Sequence, residues 1–349
     1  MSDTSHHHRY IRRCFDLAKR GGRDTLTNPN VGSVLVFEGR VIGEGYHEKY
    51  GGPHAEVNCL ASVSDKDKHH IKDATLYVSL EPCCIVSKTP ACTTAILDNK
   101  IKHVVISVTD PNKKVNGHSV QLLESHGVKV EHSLLQDEGL QVIAPFKAHL
   151  SGRPYIILKF AQSSDGYMGK RGKQVWITNA MSKLKVHKWR SEIDGILVGH
   201  STVAVDNPNL GTRLIPGDSP TRIILTRDVS NLVESQVYKR AEPSIFISPL
   251  KNEASSNNIF ITEDYNSVDG LERSMQALFN SGINYLMIEG GAKTHKMFIM
   301  SNLWDEARIL TSPLPLKSGI RAPIISGLKV REENLDGDRL AYIYRDIKS

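Results

Sequence analysis

Three donor residues constrain this chain more than anything else in it. His54 stands in Pro53-His54-Ala55-Glu56, and two thiols follow in Glu81-Pro82-Cys83-Cys84 and Pro90-Ala91-Cys92. One nitrogen and two sulfur ligands suit Zn²⁺, and three protein ligands leave a fourth tetrahedral position open for water. The chain must therefore fold so that position 54 meets positions 83 and 92. A helix beginning near His54, a strand ending at Pro82 and a second helix starting near Ala91 would do this. Glu56 would then lie in the first turn of its helix, close to the metal. A catalytic zinc is the expectation. The alternative is a structural zinc with Cys84 or another group as fourth ligand, although adjacent thiolates seldom both point at one ion.

At 349 residues the chain is too long for one typical core and suits two domains. A net charge of +6, with no dense Lys/Arg run and no basic–aromatic stripe, argues against a nucleic-acid partner. The excess positive charge fits a phosphorylated small molecule instead. No run of about 18 apolar residues and no signal-peptide core is present, so no membrane partner and a cytoplasmic location are expected. The 5 cysteines, an odd count, argue against a disulfide framework. Cys14 and Cys59 read as small core residues, and His6-His7-His8 as a disordered polar terminus.

Ile11, Cys14, Phe15 and Ala18 have the spacing of an amphipathic helix, which Gly21-Gly22 ends. Residues 31–37 and 41–45 read as a hairpin turning at Glu38-Gly39. Strands are expected over 74–80, 103–108 and 128–132, and a short helix over 120–126. This alternation predicts a three-layer α/β domain. Residues 134–150 read as a helix broken at Pro145, and Ser151-Gly152-Arg153-Pro154 as the linker that follows.

The chemistry follows from the residue types. Zinc brings the pKa of a bound water to about 7. Glu56 can take that water's proton and pass it to a ring nitrogen and then to a departing amine. His-x-Glu followed by Pro-Cys-x-x-Cys marks the zinc nucleobase deaminases. Here the second part is longer, with residues 84–91 between Cys83 and Cys92.

Six motifs occur in order: Asn28-Pro29-Asn30-Val31-Gly32, Gly45-Tyr46-His47, Pro53-His54-Ala55-Glu56-Val57, Leu80-Glu81-Pro82-Cys83, Lys88-Thr89-Pro90 and Asp110-Pro111-Asn112. Together they resemble the N-terminal domain of the bifunctional riboflavin-biosynthesis deaminase/reductases, the RibD family. The resemblance implies zinc ligands at His54, Cys83 and Cys92, a proton shuttle at Glu56, and deaminase-substrate contacts at Asn28, His47 and Lys88. The family usually reads Cys-Ser-His-(aromatic or His)-Gly-Lys/Arg-Thr-Pro-Pro-Cys here. In this chain Ile85 replaces the His, Ser87 the Gly and Ala91 a Pro. Zinc binding should survive these changes, and altered or impaired deamination is the alternative they raise.

In the second half, strands are expected over 155–161, 195–199, 222–226, 244–247, 258–262 and 284–289. Helices are expected over about 179–192, over 268–279 and from about Thr294. Residues 163–166 read as a turn and 206–210 as a loop. Glu289-Gly290-Gly291-Ala292 is a strand–Gly-Gly–helix element, able to bring backbone N–H groups to a phosphate. It is not a Gly-x-Gly-x-x-Gly fingerprint.

The stretches 159–166, 176–178, 198–202, 206–213 and 288–291, with Arg190, resemble in order the C-terminal reductase of the same family. That domain resembles dihydrofolate reductase and uses NADPH. The resemblance places NADPH against Ala161, Trp176, Thr202, Asp206 and Gly291, Ala292, Lys293, Thr294, His295, Lys296 and Met297. It places the phosphorylated substrate against Lys159, Arg190, Leu210, Arg213 and Glu289, with Gln174 where the family commonly has a Ser. Two arginines can fork a phosphate.

The expected fold class is α/β: a cytidine-deaminase-like three-layer α/β/α domain over 1–150, then a dihydrofolate-reductase-like α/β domain over 151–349. The expected activity is zinc-dependent deamination of a phosphorylated pyrimidine, then NADPH-dependent reduction of its ribosyl group. A homo-oligomer is expected. The competing readings are a nucleic-acid deaminase with an accessory nucleotide-binding domain, and a binding protein with a structural zinc.

Overall fold

The computed structural model describes residues 4–85, 90–250 and 258–346. The chain divides into two compact units, Met1–Ser151 and Gly152–Ser349. In the first unit the elements run α1 (Thr4–Ala18), β1 (Gly32–Phe37), β2 (Arg40–Tyr46), α2 (Ala55–Ala61), β3 (Thr75–Leu80), α3 (Cys92–Asp98), β4 (His103–Val108), α4 (His118–Ser125), β5 (Lys129–Glu131), α5 (Gln136–Val142) and α6 (Ala144–Leu150). The strands form one sheet in the order β2-β1-β3-β4-β5. β1 pairs antiparallel with both β2 and β3, and β3, β4 and β5 are parallel.

Strand alternation explains the layers. Val34, Val36, Tyr77 and Val105 face Tyr10, Ile11, Cys14 and Phe15 of α1. Leu35, Leu76, Val78, Val104 and Ile106 face the other way, onto Ala55 and Cys59 of α2, Ile96 of α3 and Leu123 of α4. Each such side chain contributes about 1.5–3 kcal/mol on burial. This is the three-layer domain the alternation predicted. Helix α2 lies unusually close to β2, because Gly43 and Gly45 face it. A Cβ at Gly45 would stand 2.3 Å from the Cys59 nitrogen, and one at Gly43 would stand 2.6 Å from the Cys59 carbonyl oxygen.

The helix expected over 134–150 is two helices, α5 and α6, with Pro145 in the first turn of α6. There the missing N–H costs nothing. The histidine run needs a correction: His6, His7 and His8 are not a disordered terminus but turns of α1. His7 Nδ1 lies 2.9 Å from the Tyr77 hydroxyl, which draws the start of the helix onto the sheet.

The second unit runs β6 (Tyr155–Gln162), β7 (Tyr167–Gly169), α7 (Ala180–Ser191), β8 (Gly195–Gly199), α8 (His200–Asp206), β9 (Thr221–Leu225), α9 (Gln236–Lys239), β10 (Ile245–Ser248), β11 (Ile259–Thr262), α10 (Val268–Asn280), β12 (Tyr285–Ile288), α11 (Ala292–Met300), β13 (Glu306–Thr311), β14 (Ile320–Arg321), β15 (Leu328–Leu335) and β16 (Asp338–Tyr344). Its main sheet has the order β11-β10-β9-β8-β12-β6-β13-β16-β15. Every pairing from β11 to β13 is parallel, and β13-β16 and β16-β15 are antiparallel. The central strands are apolar on both faces, as a parallel sheet under helices requires. Ile156, Leu158, Leu197, Ile223, Leu286 and Ile288 pack on Leu271, Met275 and Leu278 of α10 and Phe298 of α11. Asn179 caps α7, its side chain accepting the Ser182 N–H at 2.9 Å.

Some elements leave no signal in the sequence. Residues 200–206, of which 200–202 belong to one motif and Asp206 to an expected loop, form helix α8. The chain beyond the Gly-Gly element supplies β13 and the β15–β16 hairpin that closes one edge of the sheet.

Candidate functional site

In the first unit, three elements converge where the donor spacing required. His54 is the residue before α2, Cys83 follows the end of β3, and Cys92 is the first residue of α3. His54 Nδ1 lies 3.3 Å from Cys92 Sγ and 3.4 Å from Cys83 Sγ, and the two sulfurs are 3.4 Å apart. A tetrahedral Zn²⁺, with Zn–S about 2.3 Å and Zn–N about 2.0 Å, asks for edges of about 3.8 and 3.5 Å. The donor triangle fits the ion with shifts of a few tenths of an ångström. Cys84 is not part of the cluster among the described residues.

The electrostatics suit a cation. The Cys83 thiol is driven well down by hydrogen bonding from Cys92, and then from His54 and the Cys92 backbone N–H. Cys92 is driven up by the same bond and by burial, so without a cation the pair keeps one proton. A dication drives off that proton as it binds. Glu56, 3% exposed in the first turn of α2, has its carboxyl raised to about 6 by burial and by the neighbouring Cys83 charge.

His47 sits against His54, the ring centroids 5.3 Å apart and the planes at 77°. Its Nδ1 faces the Pro53 carbonyl at 3.0 Å and its Nε2 faces Asn28 Nδ2 at 3.1 Å. The carbonyl can only accept, so Nδ1 carries the proton and Nε2 accepts from Asn28. Burial lowers the His47 pKa, which keeps this neutral form. Asn28 and His47 are therefore brought to the donor cluster, with His47 fixed on both ring nitrogens. Lys88 and Ser87 lie outside the described residues. Of the other loop substitutions, Ile85 is 37% exposed and Ala91 is buried.

Glu81 belongs to the Leu80-Glu81-Pro82-Cys83 motif, but its residue type does not announce the work it does. Its buried carboxylate accepts three backbone N–H groups, from Asp110 at 3.1 Å, Gly117 at 3.0 Å and Ser119 at 3.1 Å. It thereby ties the end of β3, two residues before Cys83, to the loop after β4 and to α4. A buried acidic residue immediately before Pro-Cys was the only signal.

In the second unit, Lys159 on β6, Arg190 on α7 and Glu289 after β12 come together. Arg190 Nε and Nη2 donate to the two Glu289 oxygens at 2.9 and 2.8 Å, and Lys159 Nζ lies 3.4 Å from Oε2. Burial alone would raise Glu289, but Arg190 and Lys159 outweigh it and bring its carboxyl down to about 2. Burial lowers the Lys159 ammonium. Arg190 Nη1 also donates to the Gly211 carbonyl at 3.3 Å, joining Leu210 and Arg213 to the group. Gln174 is exposed in the run before α7.

The residues expected to meet a dinucleotide fall around two helix starts, α8 after β8 and α11 after β12, at the carboxyl ends of adjacent parallel strands. Ligands of α/β sheets bind at such ends. The backbone here is drawn together tightly: a Cβ at Gly290 would stand 2.5 Å from the Val198 Cα. Thr202 lies beside Gly291, and its hydroxyl would be 3.5 Å from a Cβ there. Asp206 ends α8, and burial raises its carboxyl. Ala161 is near the end of β6, and Trp176 is 70% exposed with Lys183 over its ring. Ala292, Lys293 and Lys296 line α11, the two lysines exposed. Two side chains turn the other way. His295 is fully buried, with ring nitrogens on the Gly291, Lys159 and Ile288 carbonyls, and Met297 packs on the core. Thr294 is buried as well, its hydroxyl against Gly199.

Residues 4–108 match the family model described as the cytidine and deoxycytidylate deaminase zinc-binding region, and residues 154–342 match the RibD C-terminal domain. The riboflavin biosynthesis protein RibD of Aquifex aeolicus is 34% identical over 355 residues, covering 96% of this chain and 98% of its own length. That of Escherichia coli is 32% identical over 333 residues, 89% of each chain. A solved diaminohydroxyphosphoribosylaminopyrimidine deaminase/5-amino-6-(5-phosphoribosylamino)uracil reductase from Thermotoga maritima superposes with a TM-score of 0.84 at 30% identity, covering 99% of this chain and 100% of its own. Acinetobacter baumannii RibD superposes with a TM-score of 0.80 at 30% identity, with the same coverage. Among the described residues, no helix is long and apolar enough to cross a membrane.

Proposed function

The chain belongs to the RibD family of riboflavin-biosynthesis proteins, and on that premise we propose how its residues divide two reactions. It is a bifunctional enzyme, with a zinc deaminase domain followed by a reductase domain. The first unit removes the 2-amino group of 2,5-diamino-6-ribosylamino-4(3H)-pyrimidinone 5′-phosphate. The second reduces the ribosyl group of the product to ribityl with NADPH.

The observation that carries the first half is the His54–Cys83–Cys92 triangle with Glu56 beside it. These three residues would hold zinc, which supplies an electrophile and hydroxide chemistry at neutral pH. Glu56 moves the protons: it takes one from the attacking water and delivers it to the ring nitrogen, then takes the second from the hydroxyl added to the ring carbon and delivers it to the amine that leaves as ammonia. Burial raises the Glu56 carboxyl, the direction that suits a group which both accepts and donates protons near neutrality. Asn28, His47 and Lys88 orient the pyrimidine and its phosphate.

In the second half, Lys159, Arg190, Leu210, Arg213 and Glu289, with Gln174, hold the phosphorylated ribosyl substrate. NADPH lies against Ala161, Trp176, Thr202, Asp206 and the start of α11, presented there by backbone rather than by His295, Thr294 or Met297. NADPH supplies the hydride, and the protein holds donor and acceptor in register. The protein is expected to act as a homo-oligomer on this small molecule.

Glu56→Ala tests the reading in zinc-loaded protein. Ammonia release should fall at least about 10²-fold while zinc content is unchanged. Wild-type protein that is full of zinc yet releases no ammonia from this substrate would refute the first half. Wild-type protein that oxidises no NADPH with the deaminated product would refute the second.

A further inference from the structure

The segment from Asn207 to Arg213 follows a costly backbone path. Asn207 and the buried Leu210 take left-handed conformations, with φ of 38° and 60°. For a Leu this costs on the order of 1–2 kcal/mol. Such strain persists only where surroundings over-determine it, and it gathers at ligand clamps. Here three side chains grip the backbone. Arg222 Nε donates to the Asn209 carbonyl at 3.0 Å, and Arg190 Nη1 to the Gly211 carbonyl at 3.3 Å. His187 Nδ1 accepts the Arg213 N–H at 3.1 Å.

His187 and Arg222 are 2% and 3% exposed, and the functional reading uses neither. His187 lies one turn before Arg190 on α7. Burial, then the charges of Arg190 and Arg213, bring its pKa down to about 4, so Nδ1 keeps the lone pair the contact needs. A side chain at Gly211 would have to displace its neighbours: a Cβ would stand 2.9 Å from Ser219 Oγ and from Asn209 Oδ1. The outcome is an exposed Arg213 whose charge is opposed by Arg190 and Arg240, an arrangement that an anion relieves.

We propose that His187 is a positioning residue for the reductase half. By accepting the Arg213 N–H it sets where the Arg213 guanidinium meets the substrate phosphate, while Arg222 anchors the other end of the loop. Neither side chain touches the substrate. The effect therefore falls on substrate binding, and not on hydride transfer or NADPH binding. This rests on the reading of Arg213 as a substrate contact.

The test compares His187→Leu with His187→Asn in the full-length, zinc-loaded protein. The Asn side-chain oxygen can occupy the place of Nδ1. In the Leu variant, KM for the deaminated product should rise about 5- to 10-fold, the effect of one lost hydrogen bond, with kcat and the KM for NADPH unchanged. The Asn variant should recover most of the loss. Hydrogen exchange gives a second readout that needs no turnover: the Arg213 amide should exchange faster in the Leu variant and near the wild-type rate in the Asn variant. An Asn variant as impaired as Leu, a parallel rise in the KM for NADPH, or unchanged Arg213 exchange in the Leu variant would each overturn the proposal. If wild-type protein oxidised no NADPH, the functional reading would fail, and exchange would still decide whether His187 holds the loop.

Discussion

Glu81 shows how much one carboxylate can organise. It accepts three backbone N–H groups from a segment that would otherwise leave those donors without partners in the interior. Glu81→Ala should therefore cost the first unit on the order of 3 kcal/mol, since a buried donor without its acceptor costs about 1–3 kcal/mol and local water recovers part of the loss. Because Glu81 also sets the approach of Cys83, zinc affinity should fall about 10- to 100-fold, as for other outer supports of a metal site. Urea unfolding and competition with a chelator measure the two effects; an unchanged zinc affinity would reduce Glu81 to a structural staple. The residues read directly from the sequence and those missed differ in one respect. His54, Cys83, Cys92 and Glu56 announce themselves because metal chemistry restricts residue type and spacing. Glu81, His187 and Arg222 work on backbone groups distant in sequence, and a backbone N–H or carbonyl leaves no mark on residue type.

Helix α2 carries both His54 and Glu56 to the site only because β2 offers it glycine. Gly45→Ala would place a Cβ 2.3 Å from the Cys59 nitrogen, so the helix must lift from the sheet. Overpacking of this kind costs about 1–3 kcal/mol. Expected outcomes are a lower melting temperature and strongly reduced ammonia release, with NADPH oxidation on the deaminated product unchanged. Full deamination in this variant would show that the metal site tolerates a displaced α2. Elements with one buried face were legible in the sequence. The expected strand over 103–108 matches β4 residue for residue, α10 begins at the expected Val268, and α7 begins within one residue of its expected start. The C-terminal edge was not. Residues 328–335 are exposed along nearly their whole length, and the alternation of Leu328-Lys329-Val330-Arg331 gives way to the polar run 331–334, too short a pattern to read as a strand. Helix α8 is only seven residues long, too short for a helical period to show, and it bridges two motifs whose residue types point to chemistry.

Two sheets, each with its own core, give the two reactions separate foundations. Removing zinc with a chelator should abolish ammonia release and leave NADPH-dependent reduction of the deaminated product within about 2-fold. Assaying each half-reaction before and after zinc is added back checks this. Loss of both activities together would mean that the reductase unit depends on the metal site for its integrity. The C-terminal edge has a different consequence. Among the described residues β15 pairs with β16 alone and stands at the edge of the sheet. A strand left like this is a template on which other chains can grow. Lys329, Arg331, Glu332 and Glu333 punctuate the run, and charged side chains on an edge strand disfavour the addition of another chain. The charges that interrupt β15 as a strand in the sequence are thus of the kind with which proteins keep a sheet edge from adding further chains.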